Sequence, residues 1–128
     1  MANPNIVGVV SIYAGNAAWA LTATVTTTLL TVSADVIVKV NSIIATNTHA
    51  TNATALTLDV NGIGTTVTGV TGTSLATTAK IASTINIPAD DILVVIDKPI
   101  YLMENDILRG GATSACDLFI SYEVINDA

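Results

Sequence analysis

Residues 80–87 read KIASTINI, and this stretch has the most regular hydrophobic alternation in the chain. Ile81, Ile85 and Ile87 share one side, whereas Lys80 and other polar or small residues share the opposite side. A period of two is typical of a β-strand with one buried face, because successive strand side chains point to opposite faces. The proline that follows has no N–H to donate, so the strand should end there or lie at a sheet edge.

Similar short runs recur along the chain, separated by Gly, Asn, Asp and Pro. Asn61-Gly62 is a turn signal, because both residues tolerate positive φ. Residues 92–96 are apolar at every position, which predicts a strand covered on both faces. Residues 17–25 and 27–32 form either two strands or one bent strand. The other predicted strands are residues 6–13, 35–47, 54–60, 65–70, 99–103, 107–109 and 118–125.

This spacing predicts an all-β fold with one domain over residues 1–128. The domain should be an antiparallel β-sandwich, jelly-roll-like, with about eight to ten strands. A chain of 128 residues has no room for a second domain of ordinary size.

The composition is 51% hydrophobic and only 11% charged, with a mean hydropathy of +0.66. Disorder is excluded, because it requires low hydrophobicity and high charge. A soluble domain usually has about 25% charged residues, so part of this surface should be covered by other subunits. The net charge of −6 argues against nucleic acid as a partner, since phosphate binding requires a basic patch.

Residues 1–34 contain no charged side chain, which raises the question of a membrane span or a signal peptide. A signal peptide would need Lys or Arg before its apolar stretch. The many threonines favour strands over a spanning helix. We therefore expect no membrane partner. We expect synthesis in a reducing cytoplasm, and this agrees with a single cysteine, which cannot form an internal disulfide.

His49 and Cys116 are the single histidine and cysteine, and a thiolate activated by a histidine is a possible nucleophile. However, Cys116 follows Gly110 and Gly111 into a predicted strand, where cysteine commonly serves as a small hydrophobic residue. We therefore expect Cys116 to be structural, with no catalytic residue, and the protein not to be an enzyme.

Five acidic residues cluster along the chain, namely Asp90, Asp91, Asp97, Glu104 and Asp106. Paired carboxylates can hydrolyse glycosides, and oxygen ligands in a loop can hold Ca²⁺. Their spacing does not match the EF-hand pattern, and Asp commonly bonds the backbone at turns. We interpret them as turn residues at strand ends, and expect no metal site and no cofactor.

Aromatic residues are scarce, which counts against a carbohydrate-binding module with several exposed rings. They are Tyr13, Trp19, Tyr101, Phe119 and Tyr122. Trp19, which lies between alanines, is expected to anchor the core or an interface.

The second half of the chain resembles small virion structural proteins of tailed marine bacteriophages. The resemblance lies in IPAD at residues 87–90, LVVIDKPIYL at 93–102 and ENDILR at 104–109. Residues 38–44 and 117–123 fit the same pattern. It extends over most of the chain and is weakest in the threonine-rich residues 64–78.

The resemblance implies a capsid-associated or tail-associated protein. Of these, we expect a capsid decoration (cement) protein on the capsid surface of the virion, made in the bacterial host's cytoplasm. Such a protein would be a homo-oligomer, a trimer by analogy with the three-fold positions of a capsid. It would bind the major capsid protein, or another virion protein, and bridge capsid subunits. One alternative is a tail, neck or fibre-attachment component. A second, from a different class, is a carbohydrate-binding module for host recognition.

Overall fold

The computed structural model describes residues 8–22, 27–62 and 78–126, and these residues form nine strands. Among them, no helix has the length and hydropathy needed to cross a bilayer. The all-β class is therefore confirmed. The strands are β1 (Ser11–Leu21), β2 (Thr27–Thr31), β3 (Val36–Asn47), β4 (Thr54–Asn61), β5 (Thr78–Ile87), β6 (Ile92–Ile96), β7 (Ile100–Leu102), β8 (Ile107–Ala112) and β9 (Cys116–Asn126).

The strands form two antiparallel sheets. Sheet A has the order β1-β9-β3-β6, with the short β7 also paired to β3. Sheet B has the order β2-β8-β4-β5. The chain changes sheet at almost every connection, so that strands adjacent in one sheet are distant in sequence. This is the strand order of a jelly roll, with β7 as an additional short strand, and it confirms the predicted sandwich.

The core lies between the sheets and follows the alternation of the sequence. In β9, Leu118 and Ile120 are buried, whereas Phe119 is exposed on the opposite face, as the pattern predicts. Val40 and Ile43 of β3 and Leu108 of β8 are buried in the same cluster. This packing fixes which face of each strand remains available for other contacts.

In β1 the structure differs from the sequence prediction, which ended one strand at residue 13 and began the next at residue 17. Instead, one strand pairs with β9 from Ser11 to Leu21. A Cβ atom on Gly15 would lie 2.9 Å from the Tyr122 ring, so this glycine makes room for a close contact and does not interrupt the strand. Predicted strand positions 6–7, 23–25 and 65–70 lie outside the described residues.

The predicted alternation of β5 is also wrong in part. Ala82 is buried, whereas Ile85 is exposed. Leu56 of β4 is opposite Ile85 and Leu58 is opposite Ala82, which leaves Ser83 and Thr84 as a bulge. A bulge inserts extra residues into one strand and changes which face the following side chains occupy. Thr84 adopts a φ of 49°, which is uncommon for a β-branched residue.

Candidate functional site

Cys116 is buried at the start of β9, in agreement with the structural role expected of it. Burial raises the pKa of its thiol; the negative charge of Asp117 adds to this effect and a backbone hydrogen bond from Thr46 opposes it. The thiol is therefore protonated near neutral pH and is a poor nucleophile.

His49 lies in the loop between β3 and β4, where its ring forms hydrogen bonds with the backbone of the same loop. Its Nδ1 atom accepts hydrogen bonds from the N–H groups of Thr51, at 3.2 Å, and Asn52, at 3.1 Å. A base that activates a cysteine must have a ring nitrogen turned towards the thiol. These contacts turn Nδ1 towards its own loop, so they do not support the nucleophile hypothesis.

The acidic cluster of the sequence is divided among three places, namely the two ends of the sandwich and the edge of sheet A, where Asp97 lies between β6 and β7 beside the middle of β3. Asp90 and Asp91 lie at the turn before β6, whereas Glu104 and Asp106 lie at the turn before β8. These turns flank opposite ends of β3, whose twelve residues span roughly 40 Å at about 3.3 Å per residue. Within the described residues, no group of three or more His, Cys, Asp or Glu side chains is placed to hold a metal ion.

Three of these carboxylates accept hydrogen bonds from backbone N–H groups at the turns. Asp91 accepts from Ile92 at 2.8 Å, Asp106 from Met103 at 2.9 Å, and Glu104 from Asp35 at 3.0 Å. Burial raises the pKa of the Asp106 carboxyl, although the bond from Met103 opposes this effect. The observed contacts are those of turn residues.

The outer face of sheet A contains an exposed apolar row that crosses all four of its main strands. Ala18, Phe119, Ile44 and Val94 are successive cross-strand neighbours on β1, β9, β3 and β6. Phe119 is 45% exposed and Val94 51% exposed. At about 4.8 Å between strands the row is about 14 Å wide. We call these four residues the Phe119 row.

The prediction that residues 92–96 are covered on both faces is wrong for the described part of the chain. Leu93 and Val95 pack against the core, but Ile92 is 59% exposed beside Val94. Burial in a core requires only one apolar face of this strand. A second apolar face on such a strand is therefore compatible with an exposed apolar surface as well as with burial on both sides.

A shallow hollow of about 320 Å³ adjoins the Phe119 row on the same face. Ala18 and Ala20 of β1 and Thr46 of β3 line it, with Asp117 and Phe119 of β9 between them. The small side chains leave space next to a protruding aromatic ring. Such a surface can receive an apolar side chain from another protein.

The outer face of sheet B contains charged side chains where the outer face of sheet A has the Phe119 row. Asp59 is a cross-strand neighbour of both Lys80 and Arg109. Arg109 donates from Nε to Asp59 Oδ1 at 2.7 Å and from Nη2 to Oδ2 at 3.0 Å. This pair raises the pKa of the Arg109 guanidinium. Sheet B therefore presents a charged row where sheet A presents an apolar one, which makes sheet A the better candidate for protein contact.

The aromatic residues divide between the core and the surface. Trp19 and Tyr122 pack against the core, in agreement with the anchoring role expected of Trp19. Tyr13, Tyr101 and Phe119 are exposed. The scarcity of aromatic residues in the sequence therefore did not indicate how many rings would be accessible.

No known protein family and no curated protein matches the sequence. Among solved structures, the fold is similar to a subunit of Bacillus endospore appendages, described as disulfide-linked pili, with 13% identity, a TM-score of 0.46 and coverage of 92% of this chain and 88% of that one. It is also similar to VP2 of the infectious bursal disease virus subviral particle, with 16% identity and a TM-score of 0.46, over 91% of this chain and 33% of that chain. The chain thus spans about a third of VP2. Similarity at this level carries no information about function.

Proposed function

We propose that the chain is a structural protein of a bacteriophage virion, and specifically a capsid decoration protein bound to the outside of the shell. The observation that carries this proposal is the Phe119 row, an apolar surface across the main strands of sheet A with no described element over it. Covering such a row with another protein removes apolar area from water, which is favourable by about 25 cal/mol per Å². The resemblance to phage virion proteins supports the choice of partner.

The proposed mechanism is mechanical and involves no chemical step. Sheet A of each copy packs on the shell and bridges neighbouring subunits of the major capsid protein. Internal pressure must then separate this additional interface before the shell opens. The protein is a homo-oligomer in this proposal, and a trimer would match the three-fold positions of a capsid.

The test uses phage particles whose gene for this chain has been deleted. Purified wild-type chain should bind these particles and raise the temperature at which they release DNA, because binding to the closed shell stabilises it by mass action. Phe119→Asp should bind much more weakly. Ile85→Asp, which alters an exposed apolar residue of sheet B, is the matched control and should bind like the wild type.

Equal binding by the Phe119→Asp and wild-type chains would contradict the proposed surface. Absence of binding by the wild-type chain would contradict decoration of the capsid. Gold-labelled chain found only at the tail or neck would favour the alternative position in the virion.

Exposure of three aromatic rings favours carbohydrate binding as a second candidate function. Phe119 and Tyr101 share the outer face of sheet A, but strand spacing and rise place them about 16 Å apart. The neighbours of Phe119 across the sheet, Ala18 and Ile44, offer no hydrogen bonds from their side chains to sugar hydroxyls. A glycan array tests this candidate: binding that is lost in Tyr101→Ala would favour it over decoration.

A further inference from the structure

The two sheets have four edges, and three of them have features that hinder the addition of another strand. β5 bounds sheet B and contains the bulge at Ser83 and Thr84. β2, at the other edge of sheet B, has only five residues and a register shift. The edge formed by β6 and β7 is interrupted by residues 97–99, which read DKP. Bulges, short strands, charges and proline are the usual protection of an edge.

β1, the remaining edge of sheet A, has none of these features. It reads SIYAGNAAWAL over eleven residues, without a charge or a proline. Its eleven pairs with β9 run without a register shift. No described strand pairs with its other side. A straight, uncharged edge of this length presents a row of N–H and C=O groups that a further strand can satisfy.

We propose that β1 pairs antiparallel with β1 of a second copy of this chain, so that two copies of sheet A form one continuous sheet. The proposal rests on the self-association included in the proposed function, assigns it to one edge, and takes a two-fold dimer in place of the three-fold assembly that capsid symmetry suggests. Antiparallel pairing of identical strands generates a two-fold axis, so the assembly is closed.

The sequence of β1 fits this partner because, from Tyr13 to Trp19, its side-chain sizes are nearly symmetric about Asn16. Pairing over the full strand places Asn16 opposite Asn16 of the partner subunit. Tyr13, which is 63% exposed, then lies opposite Trp19 of the partner subunit, and Trp19 lies opposite Tyr13 of the partner subunit. Aromatic cross-strand pairs stabilise antiparallel sheets.

Charge also favours this edge for self-association. Each copy has a net charge of −6, so two copies repel one another at most contacts. Contact through β1 brings together strands that contain no charge, and salt screens the remaining repulsion. The dimer should therefore become tighter as the salt concentration rises.

The experiment compares the masses of wild-type chain and variants by native mass spectrometry at low micromolar concentration. The wild-type chain should have twice the 13.1 kDa mass of one copy. Asn16→Lys and Asn16→Asp should each be monomeric, because each places like charges opposite one another at the two-fold axis. An equimolar mixture of the two variants should recover the dimer, since lysine then faces aspartate.

Asn86→Lys is the matched control, because Asn86 is also exposed on an edge strand. It should remain dimeric. A wild-type monomer, an Asn16→Lys chain with wild-type mass, or a mixture that does not dimerise would each overturn the proposal. A trimer that is insensitive to Asn16→Lys would also refute pairing through β1 while leaving the decoration function intact, which the particle-binding assay tests separately.

Discussion

Replacing Asn47 with alanine should lower the free energy of unfolding by about 3 kcal/mol, because its buried amide connects separate loops. Asn47 ends β3, and its Nδ2 atom donates to the carbonyl oxygens of Asn52 at 2.8 Å, Ile87 at 3.0 Å and Pro88 at 3.2 Å. Its Oδ1 atom accepts from the N–H of His49 at 2.9 Å. One side chain thus joins the β3–β4 loop to the end of β5.

The magnitude follows from the number of buried groups that lose a partner. Two N–H hydrogens serve the three carbonyls, and the bond to Ile87 is fully buried. An unsatisfied buried group costs about 1–3 kcal/mol, whereas the part-buried carbonyls can regain water, so the total is roughly 2–4 kcal/mol. For a domain of this size, that corresponds to a fall in Tm of roughly 8–16 °C.

Urea unfolding followed by the fluorescence of Trp19 measures this change. Asn86→Ala, at an exposed position of β5, is the control and should stay within about 0.5 kcal/mol of the wild type. Asn47→Asp should be more destabilising than Asn47→Ala at neutral pH, because its carboxylate would face carbonyl oxygens. A loss below about 1 kcal/mol in Asn47→Ala, with an unchanged m value, would refute the reasoning.

Three further predictions concern the cysteine and the acidic residues that the sequence singled out. Cys116→Ala should cost about 1 kcal/mol by urea unfolding, since it removes one buried atom, and should leave assembly intact; loss of a measurable catalytic activity would contradict its structural role. A chelator should leave the Tm unchanged, whereas a fall of several degrees would reveal an ion site among the acidic residues. Burial raises the pKa of the Asp106 carboxyl in the folded protein. This carboxyl therefore contributes to folding stability below its ordinary pKa of about 3.9, and the contribution is lost as pH rises through the higher pKa of the folded state. Asp106→Asn should therefore gain stability relative to the wild type as pH rises through this range; a difference that is constant with pH would argue against it.

Local alternation predicted the strands well where each residue's face is set by its immediate neighbours. β3 and β9 match residues 35–47 and 118–125 closely, and Leu118 and Ile120 face the core as predicted. The alternation of these two strands is enough to predict their buried face, because a strand buried on one face has apolar residues at every second position. β1 and β5 were predicted less well, because the continuity of β1 through Gly15 and the bulge of β5 depend on residues distant in the chain.

The candidate surface was present in the sequence but not recognisable as a surface. Residues 92–96 showed two apolar faces, and the sequence could not tell that one of them would face outwards. Phe119, Ile44 and Val94 are far apart in the chain, and they become neighbours only through the order of strands in sheet A. That order is set by packing between the sheets, which a local pattern does not encode.

The sequence by itself determined the all-β class, the burial of the strand faces rich in Leu, Ile and Val, and the turn roles of the acidic residues. These properties depend on side-chain alternation and on the backbone preferences of single residues. Only the tertiary structure decided that Gly15 lies against Tyr122, that Ser83 and Thr84 form a bulge, and that β1 is an edge. The physical reason is that each of these features arises from cross-strand contacts between residues distant in the chain.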